Sequence, residues 1–183
     1  MQLMEEVRKG EFLGREFLLW IWFKAEMGEG RFDLDEAGPV EMWVDRKIVL
    51  QSEGDEGVEK ITCSGYNPYL REARFALTGN KKITEAMIRL AVGDNEWSFT
   101  LDSTWLNLKS LKTPKVTQDR DEDPDGLFYD KAFLVEQALS ALDGVYARFI
   151  RLRLSPDWEE TERPRLLDWI SKGRISDPRK SRR

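Results

Sequence analysis

The sequence has 183 residues, a net charge of −5, a single cysteine and no histidine. These features exclude an intramolecular disulfide, a cysteine-rich zinc site and every mechanism in which histidine is the catalytic base. With 40% hydrophobic and 34% charged residues, the composition is typical of one soluble globular domain. We expect a cytoplasmic protein, because no apolar run reaches the roughly 20 residues that span a bilayer and the acidic first residues do not resemble a signal peptide.

The most apolar stretch predicts the first helix, at 12–27, which contains the run FLGREFLLWIWFKAE. Residues 17–23 are apolar at every position, so this helix has no polar face and must be covered on all sides. Gly28 and Gly30 favour its end. The helix is either a core helix or a docking helix, and the later elements offer enough apolar surface to favour the core. The candidate interface residues of the second alternative are Trp20, Trp22 and Phe23.

Alternation with a period of two predicts three strands after this helix. Residues 40–44 and 47–51 have the pattern of a hairpin with a tight connection at Asp45–Arg46. Residues 58–64 form the third strand. Cys63, within that strand, is expected to be a small buried side chain rather than a reactive thiol.

A helix and a second hairpin come next. Asn67–Pro68 is a typical helix start, and Gly79 ends that helix. Residues 85–92 and 97–101 alternate around a GDNE turn and give the clearest hairpin of the chain. Short connections of this kind favour an antiparallel sheet. The apolar residues at 105–111 are assigned to neither helix nor strand.

A charged connector at 114–124 separates the sheet from two predicted C-terminal helices. The first runs from Pro124 to about Leu154. The predicted apolar face has alternating spacings of four and three residues and consists of Phe128, Ala132, Val135, Leu139, Leu142, Tyr146 and Phe149. Five neighbouring apolar residues widen this face: Leu127, Leu134, Ala138, Ala141 and Val145. The second helix begins at Ser155–Pro156 and ends at Gly173. Pro164 either interrupts this helix or restarts it.

Together these elements predict an α+β fold. It consists of a mostly antiparallel five-stranded sheet, a buried N-terminal helix and a long C-terminal helical hairpin. We predict a single domain over 1–173 with a possible internal boundary near 114–124, and a disordered basic tail over 174–183.

One sequence motif suggests a metal-binding site, but this motif is incomplete. Asp121, Asp123, Asp125 and Gly126 match the opening of an EF-hand calcium loop, but the twelfth position is Ala132 instead of a glutamate. No phosphate-binding loop and no recognisable pair of catalytic carboxylates is present. We therefore expect no metal, no cofactor and no catalytic residue, so the protein is predicted not to be an enzyme.

Basic residues are the candidate nucleic-acid contacts. Arg148 and Arg151 lie near the end of the long helix, where arginines also complement the helix dipole. The other candidates are at the C-terminus: Lys172, Arg174, Arg179, Lys180, Arg182 and Arg183. Such a tail either improves solubility alone or contacts phosphates without sequence preference.

Four blocks of the sequence carry a family resemblance: EFLGREFLLWIWFKAE, EARFAL, EWSFTLD and YARFIRLRLSPDW. They resemble the C-terminal segment of long members of the bacterial RdgC family, which follows the ring-forming part of those proteins. RdgC-like proteins are nucleoid-associated, bind DNA as ring-shaped dimers and restrain a recombinase. The resemblance implies a non-enzymatic accessory role in DNA recombination or replication, through DNA or a protein partner.

In an alternative hypothesis the protein does not contact DNA. Here the chain is an oligomeric interaction or structural protein, and the apolar first helix or the long C-terminal helix forms the contact.

Overall fold

Helices and an antiparallel sheet together form the fold, which confirms the predicted α+β class. The computed structural model describes residues 11–35, 37–54, 57–65, 68–79, 81–116 and 124–172. Within these residues the helices are α1 (Glu11–Glu26), α2 (Pro68–Thr78), α3 (Pro124–Arg153) and α4 (Arg163–Lys172), with a π-helical segment at Trp158–Glu162. The strands are β1 (Arg31–Leu34), β2 (Gly38–Gly54), β3 (Gly57–Ser64), β4 (Lys82–Val92), β5 (Asn95–Asp102) and β6 (Leu108–Lys112).

The sheet is organised around β2, its longest strand. β4 pairs along one edge of β2, and β5 and β6 extend the sheet beyond β4. β1 and β3 share the other edge of β2, β1 on its first residues and β3 on its second half. All pairings are antiparallel, as expected for strands joined by short connections.

The hairpin predicted at 40–51 is wrong, because β2 passes through that region as one continuous strand. Arg46 adopts a positive φ of 56° and the strand bulges there. Between Val44 and Ile48 β2 advances four residues, while β4 advances only two, from Ile88 to Ala86. The bulge keeps the apolar residues before and after it on the same buried face.

Two strands, β1 and β6, were not predicted, and two predicted strands are the single strand β2, so the described sheet has six strands rather than five. β1 has only four residues, and β6 has no clear alternation of buried and exposed positions. The turn before β6 is held by Asp102, whose Oδ1 accepts hydrogen bonds from the amides of Thr104 (3.1 Å) and Trp105 (2.8 Å). It leaves Trp105 exposed to solvent.

The prediction that α1 is a core helix, enclosed by later elements of the chain, is confirmed. Phe17 and Trp20 both lie with their ring centroids 5.4 Å from that of Phe149 on α3, and Trp20 also packs on Phe32 of β1. The opposite side of α1 packs on β2 and β4. Cys63 is buried as predicted, and burial raises the pKa of its thiol.

The long helix α3 faces the core with part of the apolar face that was predicted. Its buried residues are Leu134, Ala138, Ala141, Leu142, Val145 and Phe149. Phe128, Ala132 and Leu139, three positions of the predicted apolar face, are exposed instead. The predicted apolar face is therefore wider than the buried one, and its margin lies at the surface.

The C-terminal helical unit closes the core beside α1. Trp169 of α4 packs edge-on against Trp22, with ring centroids 5.1 Å apart. Pro164 lies in the first turn of α4, where its missing N–H costs little. Its predecessor Arg163 donates its amide to the carbonyl of Trp158, a hydrogen bond of the π-helical type. The connector at 117–123 and the predicted tail at 174–183 lie outside the described residues.

Candidate functional site

The candidate interface residues of α1 belong to the core. Trp20, Trp22 and Phe23 are at most 1% exposed. Their side chains are satisfied inside the chain: the indole of Trp20 donates to Glu162 Oε1 and that of Trp22 donates to Glu26 Oε1, each at 2.8 Å. A docking role for these three residues would require the fold to open, so they do not form a surface site.

A partly buried ionic cluster joins α1 to the π-helical segment and α4. Lys24 Nζ lies 2.6 Å from Glu162 Oε1 and 2.8 Å from Glu29 Oε2, and Arg165 pairs with both carboxylates. The side chain of Glu162 is only 6% exposed and also accepts the Trp20 indole bond. This arrangement pairs every charge in the cluster, and its chemistry is that of a structural clamp rather than of a catalytic centre.

The carboxyl of Glu29 shows how the cluster responds to acid. Hydrogen bonds from Arg165 and then Lys24 lower its pKa from 4.5 to about 2. A carboxylate with a depressed folded-state pKa stabilises the fold above its unfolded pKa. This contribution declines as the pH falls from about 4.5 to about 2, and solvent screening keeps it small because Glu29 is partly exposed.

The candidate nucleic-acid residues that the structure describes are Arg148, Arg151 and Lys172. Arg148 donates to the carbonyl of Asp33 at 3.2 Å, and Lys172 pairs with Asp168 at 2.5 Å. The Lys172 pair is exposed on both sides, so it contributes little to stability. Arg174, Arg179, Lys180, Arg182 and Arg183 lie outside the described residues.

Arg148 and Arg151 line an open groove of about 690 Å³ between α3 and the start of the sheet. The groove is not uniformly basic. Its walls also carry four carboxylates, from Asp33, Asp35, Glu136 and Asp143. A phosphate entering the groove would meet these acids as well as the two arginines, and a ligand of mixed charge fits the groove better.

The outward side of α3 is the largest exposed feature that the sequence did not reveal. Residues spaced three or four apart form what we call the outer stripe: Tyr129, Phe133, Glu136, Ser140, Asp143, Ala147, Arg151 and Leu154. Tyr129, Phe133 and Leu154 are 70%, 62% and 81% exposed. Phe128, beside the stripe, packs edge-on against Tyr129 and is exposed too. The spacing of the stripe is that of a helix-packing seam.

The sequence contains the signal for this stripe, but the signal is ambiguous. The large apolar residues of the stripe, Tyr129, Phe133 and Leu154, lie outside the predicted apolar face, and polar positions separate Phe133 from Leu154. The ionic cluster has no local signal at all, since the residues joined by the indole bond of Trp20 are 142 positions apart.

Comparison with protein-family models gives no match to this chain. The search of curated proteins likewise finds no relative. Inference about function therefore depends on the described surfaces and the sequence.

Neither a membrane span nor a metal cluster occurs within the described residues. No helix among them is long and apolar enough to cross a membrane. No group of three or more cysteine, aspartate or glutamate side chains in that part of the chain is placed to hold a metal ion. The partial calcium motif begins at Asp121, and its positions 121–123 are not among the residues described.

Proposed function

We propose that this protein is a non-catalytic interaction module and that the outer stripe of α3 is its binding surface. The observation that carries the proposal is the exposure of Tyr129 and Phe133, one turn apart near the start of α3, with Leu154 exposed directly after the end of this helix. Large apolar side chains that lie together at the surface mark sites where another protein packs.

The energy available at this surface is substantial. Each of the two aromatic side chains, Tyr129 and Phe133, leaves roughly 100 Å² of apolar area in water, worth about 2.5 kcal/mol when covered. A helix face with residues three and four apart is the geometry by which helices dock into one another. Polar positions between the aromatic ones, such as Glu136 and Arg151, provide specificity through charge.

The absence of catalysis in this proposal rests on residue chemistry. The sequence has no histidine, and its one thiol is buried. The side chain of Glu162, only 6% exposed, is paired with Lys24. These features support a binding role over an enzymatic one.

Site-specific photo-crosslinking in cells tests this function. A photoreactive phenylalanine analogue is placed at Phe133, and at Phe75 as the matched control, because Phe75 is an exposed phenylalanine on a different helix, α2. We expect a discrete protein adduct from position 133 and none from position 75. Equal adducts at both positions, or none at 133, would contradict the proposal.

We also propose a second candidate function, an RdgC-like accessory role in which the protein contacts DNA. The observation that favours it is the position of Arg148 and Arg151, one turn apart on the exposed part of α3. The resemblance of the sequence blocks and the six basic residues from Lys172 onward support the same role. The four carboxylates of the neighbouring groove reduce the attraction for phosphate, so this candidate ranks second.

Fluorescence anisotropy with labelled single- and double-stranded DNA tests the second candidate. Binding is expected at low salt, with a steep loss of affinity as salt rises, because released counterions drive the contact. Removing 174–183 or replacing both arginines with alanine should weaken binding, whereas Lys131→Ala, elsewhere on α3, should not. Absence of binding at low salt would eliminate the DNA role.

A further inference from the structure

We infer that the partner seated on the outer stripe is a second copy of this chain, with the two α3 helices antiparallel. This inference rests on the proposed function and names the partner of that surface. It follows from the order of charges, side-chain sizes and apolar residues along α3.

Charge is divided between the two halves of α3. Residues 124–143 contain four acidic residues and one lysine, whereas 144–153 contain three arginines and no acidic residue. Two copies packed antiparallel place the acidic half of one helix against the basic half of the other. A parallel pair would place like charges together along the whole contact.

The individual positions agree with this arrangement. A two-fold axis crossing α3 between residues 143 and 144 places position 136 opposite position 151 of the second copy. Glu136 then faces Arg151, and by symmetry the same contact forms twice. Glu136 and Arg151 are both exposed.

The same axis also matches the apolar residues. It places Phe133 opposite Leu154 of the second copy, and both are exposed in the single chain. Between the axis and the charged contact it places Ser140 opposite Ala147, two small residues that allow the helix axes to approach closely. The single unfavourable contact is that of the two Asp143 carboxylates, which lie near the axis.

The size of the contact predicts a reversible dimer. Tyr129, Phe133 and Leu154 expose roughly 300 Å² of apolar area per copy, and the helix flanks bring the symmetric total to about 1,000 Å². This area is near the lower limit of specific interfaces. The open groove beside α3 is lined by residues from the centre of the stripe, including Ser140 and Ala147, so the second copy would also cover part of this groove.

Charge-reversed variants and their mixture test the inference. Glu136→Arg and Arg151→Glu are prepared as full-length proteins, with Asp130→Arg and Lys131→Glu as charge-matched controls at exposed positions of α3 outside the stripe. Sedimentation velocity from about 1 to about 300 µM covers the range of weak specific association. Circular dichroism verifies that each variant is folded.

We expect the wild type and both controls to dimerise reversibly and each stripe variant to dimerise about tenfold more weakly. An equimolar mixture of the two stripe variants should recover wild-type affinity. In the mixed dimer the two substituted positions face each other at one end with their charges exchanged, and the native pair of Glu136 and Arg151 forms at the other end. Recovery in the mixture supports the antiparallel pair.

Other results overturn the inference and separate it from the proposed function. A wild type that stays monomeric while position 133 crosslinks to a different protein refutes self-pairing and keeps the interaction module. Stripe variants that dimerise as strongly as the wild type refute the antiparallel geometry. A monomer with no crosslink at position 133 refutes both proposals, and coverage of the stripe by another segment of the same chain would give that result.

Discussion

Replacing Lys24 with methionine is expected to lower the free energy of unfolding by about 3 kcal/mol. Lys24 is the nearest cation to the buried carboxylate of Glu162, at 2.6 Å, and it also pairs with Glu29. Methionine has a similar shape and carries no charge, so Glu162 would remain buried with only the Trp20 indole and Arg165 as partners. Removing one member of a buried ion pair costs more than the pair contributes.

Urea denaturation at neutral pH measures this effect. Lys172→Met is the matched control, because Lys172 pairs with Asp168 at the exposed end of α4, and its loss should change the free energy of unfolding by less than about 0.5 kcal/mol. Adding Glu162→Gln to Lys24→Met should restore part of the stability, since the unpaired charge is then removed. A Lys24→Met variant as stable as the Lys172→Met variant would show that the cluster is not a clamp.

Gly14→Ala is expected to destabilise the fold by about 3 kcal/mol, the upper end of the usual range for overpacking. A Cβ at position 14 would lie 1.9 Å from the carbonyl oxygen of Ser103, far inside any contact that real Cβ atoms make. The carbonyl belongs to the backbone and the position of a Cβ is fixed by its own backbone, so no side-chain rotation relieves the clash. α1 would have to move away from the turn after β5, and its packing on the sheet would loosen.

Gly79→Ala provides the comparison for this prediction. Gly79 follows α2, its nearest neighbour to an added Cβ is the Ala76 carbonyl at 3.4 Å, and its φ is not positive. Alanine should therefore change stability there by no more than about 0.5 kcal/mol. Thermal unfolding of both variants gives the comparison, and similar melting temperatures would mean that α1 does not pack tightly against Ser103.

The sequence predicted the elements whose signals are local. The run of apolar residues in α1 and the alternation in β4 and β5 each specify one structure and one environment. The course of β2 could not be predicted in this way, because a bulge at Arg46 and a hairpin at the same place leave similar alternation on both sides. Only the pairing with β4 along its whole length distinguishes the two.

The candidate site depends on relations that no local pattern contains. The predicted apolar face of α3 contains Leu134 and Ala138, which are buried, and also Phe128 and Leu139, which are exposed. The proposed site includes Tyr129 and Phe133, which lie outside the predicted face, so the sequence did not indicate this site. Predicting it requires knowing where a helix lies relative to the sheet, which is a property of the tertiary packing.

The cover of α1 has a consequence for synthesis on the ribosome. Phe17 and Trp20 are covered by Phe149, and Trp22 by Trp169, so the first helix among the described residues is sheltered by the last ones described. Until those helices emerge, a nascent chain holds seven consecutive apolar residues from Phe17 to Phe23 without their native cover. Exposed segments of this kind aggregate or recruit chaperones. Translation that stops before α4 should therefore yield an insoluble product even though the whole sheet has been made.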